Sequence, residues 1–298
     1  MNILITGATG LIGSHLCKYL ANHHKLLVLT RRKEKAFTLL GHHVDAHETI
    51  DDIDFNEIDC VINLAGEPIA DKRWTASQKA KIEASRWQIT AQIAEKIKAT
   101  QTPPHTFISG SAIGFYGRQS QPVTEQNNQP FEEYSHHLCK KWEQLALSAN
   151  SKKTRVCILR TGIVLAKKGG ALGKMVPPFQ FYLGGPIADG KQYMSWIHIN
   201  DMVNIILFLI ENKSLHGVFN ATAPHPVTNN EFSEHLSQTL KRPNIFRMPE
   251  PVMRLLFGEM ADLLVYGQAV LPKALNDADF KFQYAKLKPA LENVLSGR

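Results

Sequence analysis

The sequence predicts an α/β protein built on a Rossmann-type, doubly wound parallel sheet with a smaller C-terminal α/β substrate lobe. Three observations carry that expectation. The first half alternates short apolar runs with helical patterns, which is how parallel strands covered by helices on both faces are encoded. The first apolar run, Ile3 to Thr6, passes directly into the turn Gly7-Ala-Thr-Gly10-Leu-Ile-Gly13 and then into a helical pattern. After about residue 165 the character changes to loops punctuated by glycine and proline. With 298 residues and 44% hydrophobic content, the chain is long enough to bury the core this fold requires.

Taken in order, Asn2 to Thr6 reads as a buried strand, Leu11 to Asn22 as a helix and Lys25 to Thr30 as the second strand. Cys60 to Leu64 is a further strand, followed by a long helix with Ile82, Ile89, Ile93 and Ile97 at helical spacing. Pro103 and Pro104 end that stretch. Thr106 to Ser109 is then expected as a strand, Cys139 to Ala149 as a helix and Val156 to Leu159 as a strand. In the second half, KKGGALGKMVPPF, LGGPIADGKQ and TAPHPVTNNEF read as loops, with one helix from Asp201 to Glu211. From Pro249 to Leu295 the pattern predicts helices broken at Pro272 and Pro289. No linker separates the halves. The expected division is therefore 1–165 for the nucleotide-binding part and 166–298 for the substrate lobe and C-terminal helices, with some elements returning to the first sheet.

Composition narrows the function. The net charge of +7 is spread over Lys and Arg with acids between them, so no stripe for nucleic acid is expected, and an anionic small molecule is a sufficient partner. Cys17, Cys60, Cys139 and Cys157 form no CxxC pair, which predicts reduced thiols without a disulfide framework or zinc ribbon. The pairs His23-His24, His42-His43 and His136-His137 lack metal-ligand spacing with acidic partners, so no metal is expected. The opening MNILITGATG reads as a strand, not a signal peptide, and the longest apolar stretch, Ile205 to Ile210, falls far short of the about 20 residues that cross a bilayer. A cytoplasmic protein without membrane insertion follows; the oligomeric state is left open.

The glycines of the first turn have separate tasks. Gly7 permits the tight turn, Gly10 lets the backbone approach a pyrophosphate, and Gly13 lets the helix pack closely on the strand. The helix N-terminus then supplies N–H groups to the phosphates. The second strand ends in Thr30-Arg31-Arg32 with no Asp or Glu to hold a ribose 2′-hydroxyl, and Thr30 with Arg31 suits a 2′-phosphate. NADP is therefore the expected cofactor.

Five further motifs accompany GATGLIG: VINLAGE at 61–67, FISGSAIGFYG at 107–117, LRTGIVLAKKGGALGKM at 159–175, WIHINDMVNII at 196–206 and LLVYGQAVLPKALNDADFKF at 263–282. Together they resemble the atypical and extended short-chain dehydrogenase/reductases, specifically the NAD-dependent epimerase/dehydratase-like proteins of class 39U, over essentially the whole chain. The resemblance implies that Gly7, Thr9, Gly10, Leu11, Ile12 and Gly13 wrap the pyrophosphate and that Thr30 and Arg31 meet the adenosine phosphate. It further implies that Leu64, Ala65 and Gly66 line the adenine and ribose channel, that Arg86 contacts the cofactor from the facing helix, and that Val164 neighbours the nicotinamide.

The catalytic pattern departs from the superfamily. A Tyr acidified by a Lys four residues later normally serves as general acid or base. Aligned on WEQLA at 142–146, those positions hold Ser135 and Cys139. Tyr134 is a substitute base one residue, and about 100° of helix, away, with Lys140 and Lys141 on the adjacent turn. Ser111 matches the superfamily's catalytic Ser or Thr, and Tyr116 is a further candidate donor. His136 and Cys139, at i and i+3, have the spacing of a thiolate–imidazolium pair without an orienting third group. His198 and Asp201 read as structural, Asp201 as a helix N-cap. The stretch from Gly169 to Trp196 is expected to supply the pocket, through Met175, Pro186, Gln192, Met194 and Trp196, with no cation cluster for a sugar nucleotide diphosphate. Two readings stand here: an NADP-dependent oxidoreductase or epimerase on a small substrate, and a nucleotide-binding regulator or scaffold that kept the fold and lost the chemistry.

Overall fold

The computed structural model describes residues 1–127, 129–167 and 169–296. Its first part runs β1 (Asn2–Thr6), α1 (Leu11–Leu20), β2 (Lys25–Leu29), α2 (Lys33–Leu40), β3 (Asp45–His47), β4 (Cys60–Asn63), α3 (Ala76–Ala99), β5 (Thr106–Ala112), α4 (Tyr134–Leu147) and β6 (Arg155–Thr161). There follow β7 (Ile163–Leu165), α5 (Gly170–Gln180), β8 (Tyr193–Met194), β9 (Trp196–His198), α6 (Ile199–Glu211) and β10 (Gly217–Ala221). The chain ends with β11 (Val227–Thr228), α7 (Asn229–Leu240), α8 (Glu250–Phe257), α9 (Asp262–Val265), α10 (Lys273–Asp277) and α11 (Leu287–Leu295).

Seven strands form one parallel sheet in the order β10-β6-β5-β4-β1-β2-β3. The chain winds outward from β1 to β3 and then returns to β4 on the other side of β1. That reversal opens a crevice at the carboxyl ends of β1 and β4, the place where ligands enter such sheets.

Alternate residues of each strand enter opposite cores, as a pleated strand requires. Ile3, Ile5 and Val28 pack with Leu16 and Leu20 of α1 and with Ile205, Ile206 and Leu209 of α6. Leu4, Leu27, Val61, Phe107 and Val156 pack on the other face with Ile93 and Ile97 of α3 and Ala146 of α4. A third core joins Leu172 and Val176 of α5, Phe232 and Leu236 of α7, and Leu291 and Val294 of α11. Although they come late in the chain, α6 and β10 belong to the first core, through Ile205, Leu209 and Phe219. No described helix is long and apolar enough to cross a membrane, and no metal-binding cluster of His, Cys, Asp or Glu occurs among the described residues.

Several elements differ from the sequence expectation. The first helix stops at Leu20, two residues before Asn22, and α2 and β3 form where the polar KEKAFTLL and the three-residue DAH gave no clear period. Helix α4 begins at Tyr134, five residues ahead of Cys139. Helix α5 forms in the glycine- and proline-rich stretch, carrying Pro177 and Pro178 inside it. Helix α7 starts in the stretch read as a loop, where Thr228 and Glu231 form a reciprocal capping box. Pro289 does not break a helix: it sits in the first turn of α11, where no intrahelical N–H is needed.

Asp201 is not an N-cap. His198 caps α6, its ring nitrogen accepting from Asn200 N–H at 3.0 Å, and the buried Asp201 accepts from Gln283 N–H at 2.7 Å and Tyr284 N–H at 2.9 Å. The segment WIHIND is thus a clamp on the C-terminal tail. The His198 ring also stacks on Tyr284 with centroids 3.8 Å apart, and burial pushes its pKa down to about 4. Between its ordinary value of 6.5 and about 4, the unfolded chain takes up a proton that folded His198 refuses, so stability falls as pH drops across that window. We expect His198 to account for on the order of 3 kcal/mol of that loss. Denaturant midpoints measured from pH 7 to 4 should show a shallower decline in His198→Asn, which keeps a cap; an unchanged decline would refute the assignment.

Candidate active site

The turn after β1 is shaped by contacts that leave no room for side chains. Gly7 has φ +68°, and a Cβ there would lie 2.4 Å from Leu64 O. At Gly13 a Cβ would lie 2.3 Å from Gly7 O and 2.6 Å from Ala8 Cα, so α1 sits directly on the turn. Gly10 differs: a Cβ there would approach only Gly7 O, at 3.1 Å, and the space in front of it is open. Gly10 is also the N-cap of α1 and provides no side-chain cap. The N–H groups of Leu11, Ile12 and Gly13 therefore have no intrahelical acceptor and face the crevice end of β1, next to Thr9.

On the adenosine side, Thr30 N–H bonds His47 O at 2.9 Å, and its hydroxyl lies 3.4 Å from Arg32 N. Arg31 is exposed, and none of the ion pairs among the described residues involves it. Across the crevice, Leu64 N–H bonds Thr6 O at 3.2 Å and Ala65 N–H bonds the Thr6 hydroxyl at 3.2 Å. The Arg86 guanidinium lies beneath Gly66, whose Cβ would stand 3.0 Å from its Cζ. It donates to Glu67 O at 3.0 Å and Ile82 O at 3.1 Å, so it tethers the loop after β4. Val164 lies on β7 paired with Ile197, and the Gly169-Gly170 turn crosses Leu11 close to Val164 O.

Ser111 is buried at the end of β5, and its Oγ donates to Glu143 Oε1 at 2.6 Å. Arg160, its register partner on β6, holds the same carboxylate bidentately, Nε to Oε1 and Nη2 to Oε2, each at 2.8 Å. The Arg160 guanidinium lies 3.4 Å from the Phe115 ring centre and 4.9 Å from that of Tyr116. Tyr116 is sealed from solvent and donates to Asn220 Oδ1 at 2.7 Å. Burial, moderated by Arg160, raises its pKa. Ser111 and Tyr116 thus belong to one buried polar row across β5, β6 and β10.

Tyr134 lies apart from them. It opens α4, its ring meets Trp74 edge-on at 4.9 Å, and its hydroxyl donates to Lys79 O at 3.4 Å. Lys79 Nζ stands 4.5 Å above that ring, yet the phenol is driven further from acidity by burial and by the Glu83 carboxylate. Cys139 is fully enclosed and its thiol is pushed up to about 12 by burial, which makes it an inert thiol rather than a nucleophile. His136 engages Phe115 O at 2.5 Å, and Ser135 donates to Glu133 at 2.9 Å.

Sequence reasoning missed Glu143, Arg160 and Asn220. The available signal was a charge inside an apolar pattern: Glu143 follows Trp142 on the buried face of α4, and Arg160 ends the apolar run VCIL. Trp196 and Met194 do not line the crevice. They fill the third core with Phe232 and Leu291, and the Trp196 indole donates to His225 O at 3.1 Å. Four links join the segments after β4 and β5 and the start of α3 to the second half of the chain: Lys174 to Asp71 at 2.5 Å, Lys79 to Glu259 at 2.6 Å, Arg73 to Leu255 O at 3.0 Å and Gln268 to Ile113 O at 2.9 Å.

Residues 3–221 match the model of the NAD dependent epimerase/dehydratase family. The chain belongs to that family. Residues 248–294, which run from just before the start of α8 to the end of α11 but for its last residue, match a domain of unknown function, DUF1731. Relatives of this family member include the epimerase family protein SDR39U1 homolog, chloroplastic, of Arabidopsis thaliana, 37% identical over 99% of this chain and 87% of its own length. The epimerase family protein ML0860 of Mycobacterium leprae is 36% identical, with 97% and 94% covered. Among solved structures, human epimerase family protein SDR39U1, crystallised with NADPH, superposes with a TM-score of 0.92 over the whole of both chains at 29% identity. A UDP-glucuronic acid 4-epimerase from Bacillus cereus, at 19% identity and TM-score 0.78 with 98% and 97% covered, shares the fold.

Proposed function

We propose that this family member binds NADP(H) at the carboxyl ends of β1 and β4 and acts as an oxidoreductase or epimerase on a small molecule. The observation that carries this is the uncapped N-terminus of α1 behind Gly10, open where a pyrophosphate is to lie, with Arg31, which joins no ion pair among the described residues, just past the end of β2. The NADPH crystallised with the human relative supports it. In this reading Gly7, Thr9, Gly10, Leu11, Ile12 and Gly13 hold the pyrophosphate, and Thr30 and Arg31 the 2′-phosphate. Leu64, Ala65 and Gly66 line the ribose channel with Arg86 holding their loop in place, and Val164 borders the nicotinamide. The bound cofactor supplies hydride transfer. Ser111 is the hydroxyl that meets substrate, its orientation set by Glu143 and Arg160, while Tyr116 braces the row from below. Residues 1–165 serve the cofactor and 166–298 the substrate, in a cytoplasmic protein that uses neither metal nor nucleic acid.

Titration of NADPH and NADH should show tighter NADPH binding, by roughly 10-fold or more from a charge-assisted contact of about 1.5–3 kcal/mol. Arg31→Ala should erase that preference and leave NADH affinity unchanged. Equal affinities in the unaltered chain would remove the 2′-phosphate reading. A second reading, cofactor binding without turnover, is favoured by the inert Cys139 and by Tyr134, whose hydroxyl is bonded to Lys79 O and is not acidified. Transfer of label from 4-tritiated NADPH to a carbonyl library separates the two.

A further inference from the structure

The large exposed apolar side chains of the lobe concentrate in two stretches. Phe181, Tyr182 and Leu183 follow α5, and Ile245, Phe246 and Met248 lead into α8, which adds Val252, Leu255 and Leu256. Phe181 is 74% exposed, Ile245 70% and Leu255 76%. The stretches are joined: Phe246 N–H bonds Gly184 O at 3.3 Å, Met248 N–H bonds Pro186 O at 2.9 Å, and a Cβ on Gly185 would collide with the Phe246 backbone. On α8, Met253 turns inward to Ala261 and Val265, whereas Val252, Leu255 and Leu256, at i, i+3 and i+4, form an outward apolar stripe. An aromatic side chain spans about 150–250 Å². Phe181, Tyr182 and Phe246, each more than half exposed, together present about 300–450 Å², which is in the range of the about 300–600 Å² of the largest apolar patch on a typical monomer, and the aliphatic side chains add to it.

Charge identifies what fits it. Lys241, Arg242 and Arg247 lie within or beside the Ile245–Met248 stretch, Arg242 with its guanidinium 4.9 Å from the Tyr182 ring. Arg247 donates to Ala188 O at 2.8 Å and Asn230 Oδ1 at 3.2 Å. Among the described residues none of these three pairs with a carboxylate, while the one acid at the start of α8, Glu250, is already paired with Arg254. A second copy would bring the same three cations to the contact, against which the exposed Asp189, next to the Ala188 carbonyl that Arg247 holds, is a single carboxylate. An anionic bilayer supplies both partners.

We propose that this face of the lobe docks on an anionic lipid surface, with residues 181–183, 245–248 and the α8 stripe at the headgroup–acyl boundary and Arg242 and Arg247 on lipid phosphates. The contact is peripheral.

The test is co-sedimentation of the full chain with phosphatidylcholine vesicles, with and without about one-quarter phosphatidylglycerol. Binding should require phosphatidylglycerol, weaken with salt, and fall about fivefold for each of Arg242→Ala and Arg247→Ala. Leu255→Glu should abolish it without lowering Tm, since that side chain is exposed. Equal binding to both vesicles, or retention by Leu255→Glu, overturns the proposal. So does a chain that ignores vesicles but forms a dimer that Leu255→Glu dissociates, which would assign the face to a second copy.

Discussion

Gly10→Ala should lower NADPH affinity by at least about 100-fold while leaving Tm nearly unchanged, whereas Gly13→Ala should lower both. A methyl at Gly10 meets only Gly7 O at 3.1 Å, which asks that carbonyl to give by a few tenths of an ångström, far less than the overlap at Gly13. The same methyl stands in front of the uncapped N–H groups of Leu11, Ile12 and Gly13 and displaces a phosphate from them. At Gly13 the methyl would meet Gly7 O at 2.3 Å and Ala8 Cα at 2.6 Å, backbone against backbone, and α1 must shift off the turn. Overpacking of this kind costs about 1–3 kcal/mol. Isothermal titration with NADPH beside thermal unfolding separates the effects. A Gly10→Ala chain that binds NADPH like the unaltered one would place the phosphates elsewhere.

The second large effect is expected in the Ser111–Glu143–Arg160 row. Glu143→Ala strands the Arg160 guanidinium in a site where its side chain is 5% exposed, and leaves Ser111 without its acceptor. Breaking a buried ion pair from one side costs about 3–5 kcal/mol. Removing both charges with Glu143→Met and Arg160→Met should recover most of that loss, because the penalty belongs to the uncompensated charge. Urea midpoints of the two single variants and the double variant form the measurement. A Glu143→Ala cost below about 1 kcal/mol would show that the pair is not holding β5, β6 and α4 together. Label transfer from NADPH then asks whether the double variant, folded but with Ser111 unheld, loses chemistry.

The parallel sheet was legible because its strands are apolar on both faces and its first turn has glycines at the positions that two backbones contest. Gly13 touches atoms of Gly7 and Ala8, only five or six residues away, whereas Gly7 touches Leu64 and Ala65 just after β4; the first contact is local, and the second comes with any strand that pairs beside β1. The strand β10 was harder, since GVFNA is short and joins the sheet only through its pairing with β6. Helix α4 was placed from its apolar part, and its first turn, YSHH, was missed because polar residues there meet Phe115 and Glu133 rather than water. The capping box at Thr228 was present in the sequence, hidden by the prolines before it.

By itself, then, the sequence determined the βαβ frame, the glycine seat and the absence of an acid beside Arg31, because each depends on neighbours close in the chain or on a side chain being missing. Aligned with the superfamily it resembles, it also led to the expectation that Ser135 and Cys139 stand where the Tyr–Lys dyad would be. Only the tertiary structure decided what stands around Ser111. Glu143 and Arg160 are separated from it by 32 and 49 residues and meet only when β5, β6 and α4 pack, in a low-dielectric site where a carboxylate requires its guanidinium. The same holds for Asp201, whose two hydrogen bonds reach residues more than 80 positions away, and for the lobe's apolar face, which arises where separate stretches are pressed together. Local pattern carries the scaffold; burial, which pairs distant charges, decides the site.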